Sequence, residues 1–156
     1  MKKIALFLVS IISLFLIAGC SKKEEVADIK PEDVTKEIVE SIEFPDMVQA
    51  TPDNIKIMYD LDVENFEAYS VVYAGSGGNV DEVAVIKFPD EKTAKENKKV
   101  FEDRINERIS IFSGYALQEA EKLKNAELKV KGSYIFLAVC EEPDKALKIF
   151  NDSFKK

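Results

Sequence analysis

The chain has no histidine among its 156 residues, and that absence closes more chemistry than any motif opens. Without an imidazole there is no Ser-His-Asp or Cys-His nucleophile, no histidine general base and no His-Glu-x-x-His zinc site. The two cysteines, Cys20 and Cys140, make no cluster, so only hard, carboxylate-bound cations are within reach. An enzyme here must therefore run on carboxylates, on Tyr115 or on lysines. Glu82 is the best single carboxylate. On strand parity it shares a face with Ala84, Ile86 and Phe88, at the rim of an apolar surface where burial raises a carboxyl pKa. The other reading of Glu82 is an ion pair with Arg104 or a lysine. Asp60-Leu61-Asp62-Val63-Glu64-Asn65 alternates acids like the first half of an EF-hand loop. It lacks the glycine at the sixth place and the closing glutamate, so it reads as an acidic connection. Neither a metal nor a cofactor is expected.

Cys20 carries different chemistry. Lys2 and Lys3 precede an apolar run over 4–17, then Ala18-Gly19 supply small residues before Cys20; this is the layout of a secretory leader. The run is shorter than the about 20 residues a membrane span needs. Leu16-Ile17-Ala18-Gly19-Cys20 is similar to the lipoprotein cleavage consensus, which implies a diacylglycerol thioether on Cys20; an ordinary leader cut near Gly19 is the alternative. Two or three acyl chains anchor firmly, since each buried methylene adds about 0.8 kcal/mol. The expected organisation is a leader over 1–19, a lipidated Cys20 with a disordered charged tether to 30, and one domain over 31–156. The partner so implied is the membrane, with the domain on its extracytoplasmic face. The chain's net charge is −7, and loss of the leader's two lysines makes it more negative. That surface disfavours nucleic acid as a partner. With Cys20 lipidated, Cys140 has no disulfide partner. It ends an apolar strand and reads as a buried, inert thiol, though the helix start at Glu142-Pro143 leaves a reactive thiol open.

The elements that hold these groups follow from periodicity and start signals. Pro31-Glu32-Asp33 opens a helix with Val34, Ile38 and Ile42 in one stripe. Thr51-Pro52-Asp53 opens a short second helix. Residues 66–74 and 82–88 read as strands joined by Gly75-Ser76-Gly77-Gly78-Asn79. A phosphate cradle needs a helix N-terminus after such a loop, and a strand follows instead; the glycines read as turn residues that permit positive φ. Pro89-Asp90 starts the longest helix, whose stripe is Ala94, Phe101, Ile105, Ile109 and Phe112. A shorter helix follows over 117–125. Residues 127–131 alternate strictly, Gly132-Ser133 turns, and 134–140 is the second strand of another hairpin. Pro143-Asp144 begins the last helix, with Ala146, Leu147, Phe150 and Phe154 inward. The order predicts an α+β fold with a four-stranded, mainly antiparallel sheet built from two β-hairpins. Two ββα units resemble each other weakly, as a repeat or by coincidence.

A five-residue loop pairs Tyr73 with Asp81, Val71 with Val83 and Tyr69 with Val85. This register puts Tyr69, Tyr73, Tyr134 and Phe136 on one side of the sheet if each hairpin turns its helix-like face inward. That side is either covered by helices or receives a partner, because large apolar patches are rarely left bare.

Tyr73 to Phe88, with Gly75-Ser76-Gly77 and Asp81-Glu82, resembles the signature hairpin of a domain of unknown function, family 4358, found in Gram-positive lipoproteins. Arg104, Phe112 and Tyr115 fall at that family's spacing of Arg, Phe and Tyr. Val130-Lys131-Gly132-Ser133-Tyr134 resembles its second hairpin, while Asn79-Val80 departs from the small residues expected there. The resemblance spans about residues 44–139 and implies a clostridial-type, lipid-anchored extracytoplasmic domain with no established activity. The leading functional expectation is a binding or interaction module for an envelope ligand or protein, with an envelope structural role next and a carboxylate enzyme centred on Glu82 last.

Overall fold

A computed structural model describes residues 26–155. The leader, Cys20 and the first part of the tether lie outside the described residues. The helices are α1 (Pro31–Ser41), α2 (Pro52–Tyr59), α3 (Glu91–Phe112), α4 (Leu117–Lys124) and α5 (Pro143–Ser153). The strands are β1 (Met47–Gln49), β2 (Ala68–Ala74), β3 (Glu82–Lys87), β4 (Glu127–Lys131) and β5 (Tyr134–Val139). They form one antiparallel sheet in the order β1-β2-β3-β5-β4. The α+β class holds, but the sheet has five strands, not four. The extra strand, β1, is three residues long, too short for alternation to show in the sequence. It is fastened at its ends, where Ala50 N–H donates to the Val71 carbonyl at 2.8 Å and Gly75 N–H to the Asp46 carbonyl at 2.9 Å.

Helix starts follow their local chemistry. Thr51 Oγ1 accepts from the Asn54 N–H at 3.2 Å, and Asn54 Oδ1 accepts from the Thr51 N–H at 3.0 Å, a reciprocal cap that satisfies two orphan donors. Asp90 Oδ1 accepts from the Thr93 N–H at 2.7 Å and so caps α3.

The register of the first hairpin differs from the sequence expectation by one residue. Ala74 N–H donates to the Asp81 carbonyl at 2.9 Å, so the loop covers 75–80 and Tyr73 pairs with Glu82, not with Asp81. A one-residue slip moves every side chain to the other face. Tyr69, Val71 and Tyr73 therefore share a face with Glu82, Ala84 and Ile86. The second hairpin pairs as expected, Leu128 with Leu137 and Val130 with Ile135.

Two apolar layers result. On one face Val71, Ala84, Ile86, Ile135 and Leu137 pack with Ile55 and Tyr59 of α2, Phe101 and Phe112 of α3, and Leu123 of α4. On the other, Val83, Val85, Tyr134, Phe136 and Ala138 pack with Val34 and Ile38 of α1 and Ala146 and Phe150 of α5. The single aromatic face is thus corrected: the tyrosines of the first hairpin and the aromatics of the second lie on opposite sides. Helices cover both. Tyr134 and Phe136 are buried, and Tyr69 and Tyr73 are half-buried against the first layer. The resemblance between the two ββα units does not extend to architecture. A two-fold axis relating β3 to the antiparallel β5 stands perpendicular to the sheet and keeps both following helices on one face, whereas α3 and α5 take opposite faces.

Residues 26–30 correct the extent of the tether. They form a strap against the sheet rather than a disordered continuation. Ile29 is buried; its N–H donates to the Tyr134 hydroxyl at 3.1 Å, and that hydroxyl donates to Asp28. Lys87 reaches Asp28 at 3.0 Å and Glu67 at 2.9 Å. The charges of 21–28 conceal this, because what docks is one isoleucine whose partner lies 105 residues away. The same strap explains one glycine. Gly132 has φ 55°, and a Cβ there would lie 2.9 Å from Val26 Cγ2. Gly132→Ala is expected to cost about 1–2 kcal/mol through the left-handed backbone alone, with displacement of Val26 added. Urea unfolding of the variant measures it, and a change within about 0.5 kcal/mol is what an unstrained surface site gives.

Candidate functional site

The strongest constellation is built on Glu82, the first residue of β3. Its side chain is 1% exposed. Arg104, in the middle of α3, donates from its terminal nitrogen to Glu82 Oε2 at 2.6 Å and from Nε to both carboxylate oxygens at 3.1 Å. Arg108, one turn on, donates to Oε2 at 3.1 Å and to the Val80 carbonyl at 3.2 Å. The Tyr59 hydroxyl, at the end of α2, donates to Oε1. Burial, then the neighbouring Glu82 charge, pushes the Tyr59 phenol well above its usual range, so it stays a donor. Burial opposes the charge on Arg104, but Glu82 more than offsets it and holds the guanidinium above its ordinary range. At Arg108 burial wins and the direction is downward, yet arginine remains charged in either case.

This arrangement joins β3, α2, α3 and the hairpin loop through one carboxylate. Each Glu82 oxygen accepts at least two donors, so both are engaged inside the cluster. Of the two readings of Glu82, the ion pair with Arg104 is the one the structure contains. Arg108 and Tyr59 were not singled out from the sequence, although Arg108 carried a signal. Arg104 and Arg108 stand at i+3 and i+7 from Phe101, and i+11 is Phe112; two charges inside an apolar stripe need a buried counter-charge. The guanidinium of Arg104 lies 5.3 Å from the Tyr59 ring centroid, that of Arg108 lies 5.7 Å from Phe112, and Phe112 lies 5.2 Å from Tyr115. Tyr115, spaced with Arg104 in the sequence, thus ends a file that begins at Glu82. It is itself 67% exposed.

The adjoining residue, Asp81, makes a second polar cluster. It is 2% exposed and meets Lys122 Nζ at 3.0 Å; Lys122 also reaches Glu119 and Glu141 at 3.4 Å each. Burial works against the Lys122 charge, and the bond to Asp81 together with the charges of Asp81, Glu119 and Glu141 more than offsets it. Glu119 Oε2 accepts the Val80 N–H at 2.8 Å. Two open clefts flank this cluster. One of roughly 900 Å3 is lined by Glu119, Lys122, Glu127, Cys140, Glu141 and Asp144, and one of roughly 400 Å3 by Glu43, Phe44, Asp81, Lys122 and Glu142. Sequence reasoning missed the cluster because Asp81, Lys122 and Glu141 come from three distant elements.

The hairpin loop projects beside these clusters. Gly75, Ser76, Gly77 and Gly78 are exposed, while its two ends are fixed by the Gly75–Asp46 bond, the Val80–Glu119 bond and the Arg108–Val80 bond. The expectation that its glycines serve positive φ is corrected. Among the described residues Gly132 is the one glycine with positive φ. At Gly75 an added Cβ would press on Val48 Cγ1 at 3.2 Å, at Gly78 it would make ordinary contact with Ser76 Oγ at 3.8 Å, and at Gly77 it would meet nothing within 4 Å.

The other chemical groups have ordinary surroundings. Asp60 and Asp62 both face Lys56, at 2.9 and 3.3 Å. Among the described residues no group of acids, cysteines or histidines is arranged to hold a metal. Cys140 is buried at the end of β5, and burial pushes its thiol up to about 11. Native Cys140 is expected to resist a neutral-pH thiol reagent and to react on unfolding, because only the thiolate attacks. Since folding raises its pKa, this thiol contributes stability that is intact below its unfolded value near 9 and is lost as pH rises through about 11. Labelling native protein at rising pH checks the first, and urea unfolding at rising pH checks the second.

The fold is thus an α+β domain whose antiparallel sheet is covered on both faces and closed at one end by buried ion pairs. The family described as Domain of unknown function (DUF4358) matches residues 40–140, and the chain belongs to it. The match takes in Glu82, Arg104, Arg108, the hairpin loop and Lys122. Neither the curated proteins nor the solved structures contain a match. Among the described residues no helix is long and apolar enough to cross a membrane.

Proposed function

We propose that the protein is a binding module, held on the extracytoplasmic face of a Gram-positive-type membrane by lipidated Cys20, and that it recognises an envelope protein or ligand through loop 75–79 and the adjoining acidic clefts. The observation that carries this is Gly77. It is exposed, between pinned loop ends, and neither backbone angle nor packing demands a glycine there. A fixed loop without a side chain at its tip lets a partner approach the backbone closely and lose little freedom on binding. The carboxylate best suited to catalysis, Glu82, is committed to Arg104, Arg108 and Tyr59, which favours binding over an enzyme.

A photo-crosslinker at Ser76 of the anchored protein is expected to give a discrete adduct, and one at Lys95 on α3 none. Gly77→Ala should leave stability unchanged or raise it by about 0.4–1 kcal/mol while removing the adduct. An adduct that persists unchanged in Gly77→Ala, or one equally strong from Lys95, sinks the loop as the recognition surface. The anchor has its own test: Cys20→Ser is expected to move the protein from the detergent phase to the aqueous phase.

A further inference from the structure

The strap of residues 26–30 fixes where the chain leaves the domain. Ile29 is buried, and the Tyr134 hydroxyl holds its N–H at 3.1 Å. Val26 lies against Gly132, in the β4–β5 turn, at a contact too close for a Cβ. That turn is at the opposite end of the sheet from loop 75–79: β3 runs from Glu82, paired with Tyr73 beside the loop, to Lys87, paired with Tyr134 beside the turn. Strand length alone separates the two ends by roughly 20 Å for six residues, and the loop and turn add to it. Between Cys20 and Val26 there are six Cα steps, which span at most about 22 Å when fully extended.

We infer that the β4–β5 turn is the membrane-facing end of this domain and that loop 75–79 with the Asp81–Lys122 clefts points away from the bilayer. This rests on the anchored reading of Cys20. With its sulfur at the lipid surface, a domain turned loop-down needs its tether to climb the full height of the sheet to reach Val26, and a fully extended tether only about matches the strands before the loop and the turn are added. In the upright pose the tether needs no such extension. Charge is balanced at the strap end, where Lys22, Lys23, Lys30, Lys87 and Lys131 accompany Glu24, Glu25, Asp28 and Glu67. At the far end Asp81, Glu119, Glu141 and Glu142 share the clefts with Lys122, and anionic headgroups repel that acidic group.

The test is energy transfer from a donor dye to acceptor-labelled phosphatidylethanolamine in phosphatidylcholine–phosphatidylglycerol vesicles carrying the full lipidated chain. Dye is placed by Ser133→Cys at the turn or by Ser76→Cys in the loop; buried Cys140 does not compete for label. Transfer from position 133 is expected to be severalfold stronger than from 76. Tyr134→Phe, which keeps the ring and removes the strap's hydroxyl anchor, should reduce that ratio, and circular dichroism confirms that it folds. Equal transfer from both positions in protein that floats with the vesicles overturns the orientation and leaves the anchor standing. Protein that fails to float, as the Cys20→Ser control should, removes both.

Discussion

Glu82→Gln is expected to destabilise the domain by about 3–5 kcal/mol, the usual consequence of removing one partner from a buried ion pair. The carboxylate is the shared counter-charge of two guanidiniums whose side chains are only 19% and 18% exposed. An amide of the same shape offers one acceptor oxygen and turns an NH2 toward donors that need acceptors. Because the clamp joins α2, α3, β3 and the loop, the loss spreads to the packing of Tyr59 on Phe101, whose ring centroids are 4.5 Å apart. Tyr59→Phe removes one donor and leaves the arginines in place, so it should cost nearer 1 kcal/mol. Urea unfolding of the soluble domain gives the order: Glu82→Gln far below wild type, Tyr59→Phe between. A Glu82→Gln protein within about 0.5 kcal/mol of wild type returns Glu82 to the status of an uncommitted carboxylate and revives the enzyme reading.

How far the sequence led can be followed residue by residue. Helix starts were legible because they are local: Pro31, the Thr51–Asn54 cap and Asp90 act within one turn of themselves. The second hairpin was legible because Gly132-Ser133 leaves room for only one register. The first was not, because a glycine-rich loop fits five or six residues equally well, and a single residue decides which face carries Tyr69 and Tyr73. That slip placed four aromatics on one imagined surface. The Glu82–Arg104 pair was readable as chemistry, but its closure by Arg108 and Tyr59 depends on α2 packing across α3. The strap was hidden because one buried isoleucine carries no period. The clefts around Asp81 needed three elements to meet at one sheet end, which only topology supplies.

The family match ends where the domain does not. Residues 40–140 include the sheet and α2–α4, but α5 lies wholly beyond them and α1 almost wholly before. Those two helices cover one face of the sheet: Val34 and Ile38 from α1, Ala146 and Phe150 from α5, with Phe150 stacked on Phe136 at 4.6 Å. Removing them bares Val83, Val85, Tyr134, Phe136 and Ala138, and strips Ser70 of the buried Thr35 hydroxyl it meets at 2.6 Å. At about 25 cal/mol per Å2, uncovering several hundred Å2 costs on the order of the whole 5–15 kcal/mol that holds a domain together. A fragment of residues 40–140 is therefore expected to aggregate or to bind a hydrophobic dye without a cooperative melt, while 26–155 melts as one unit. Phe150→Ala alone should cost about 3–5 kcal/mol and lies between these extremes. A soluble 40–140 fragment with a sharp transition would mean that the second layer is dispensable, and that α1 and α5 decorate a domain able to stand on the first.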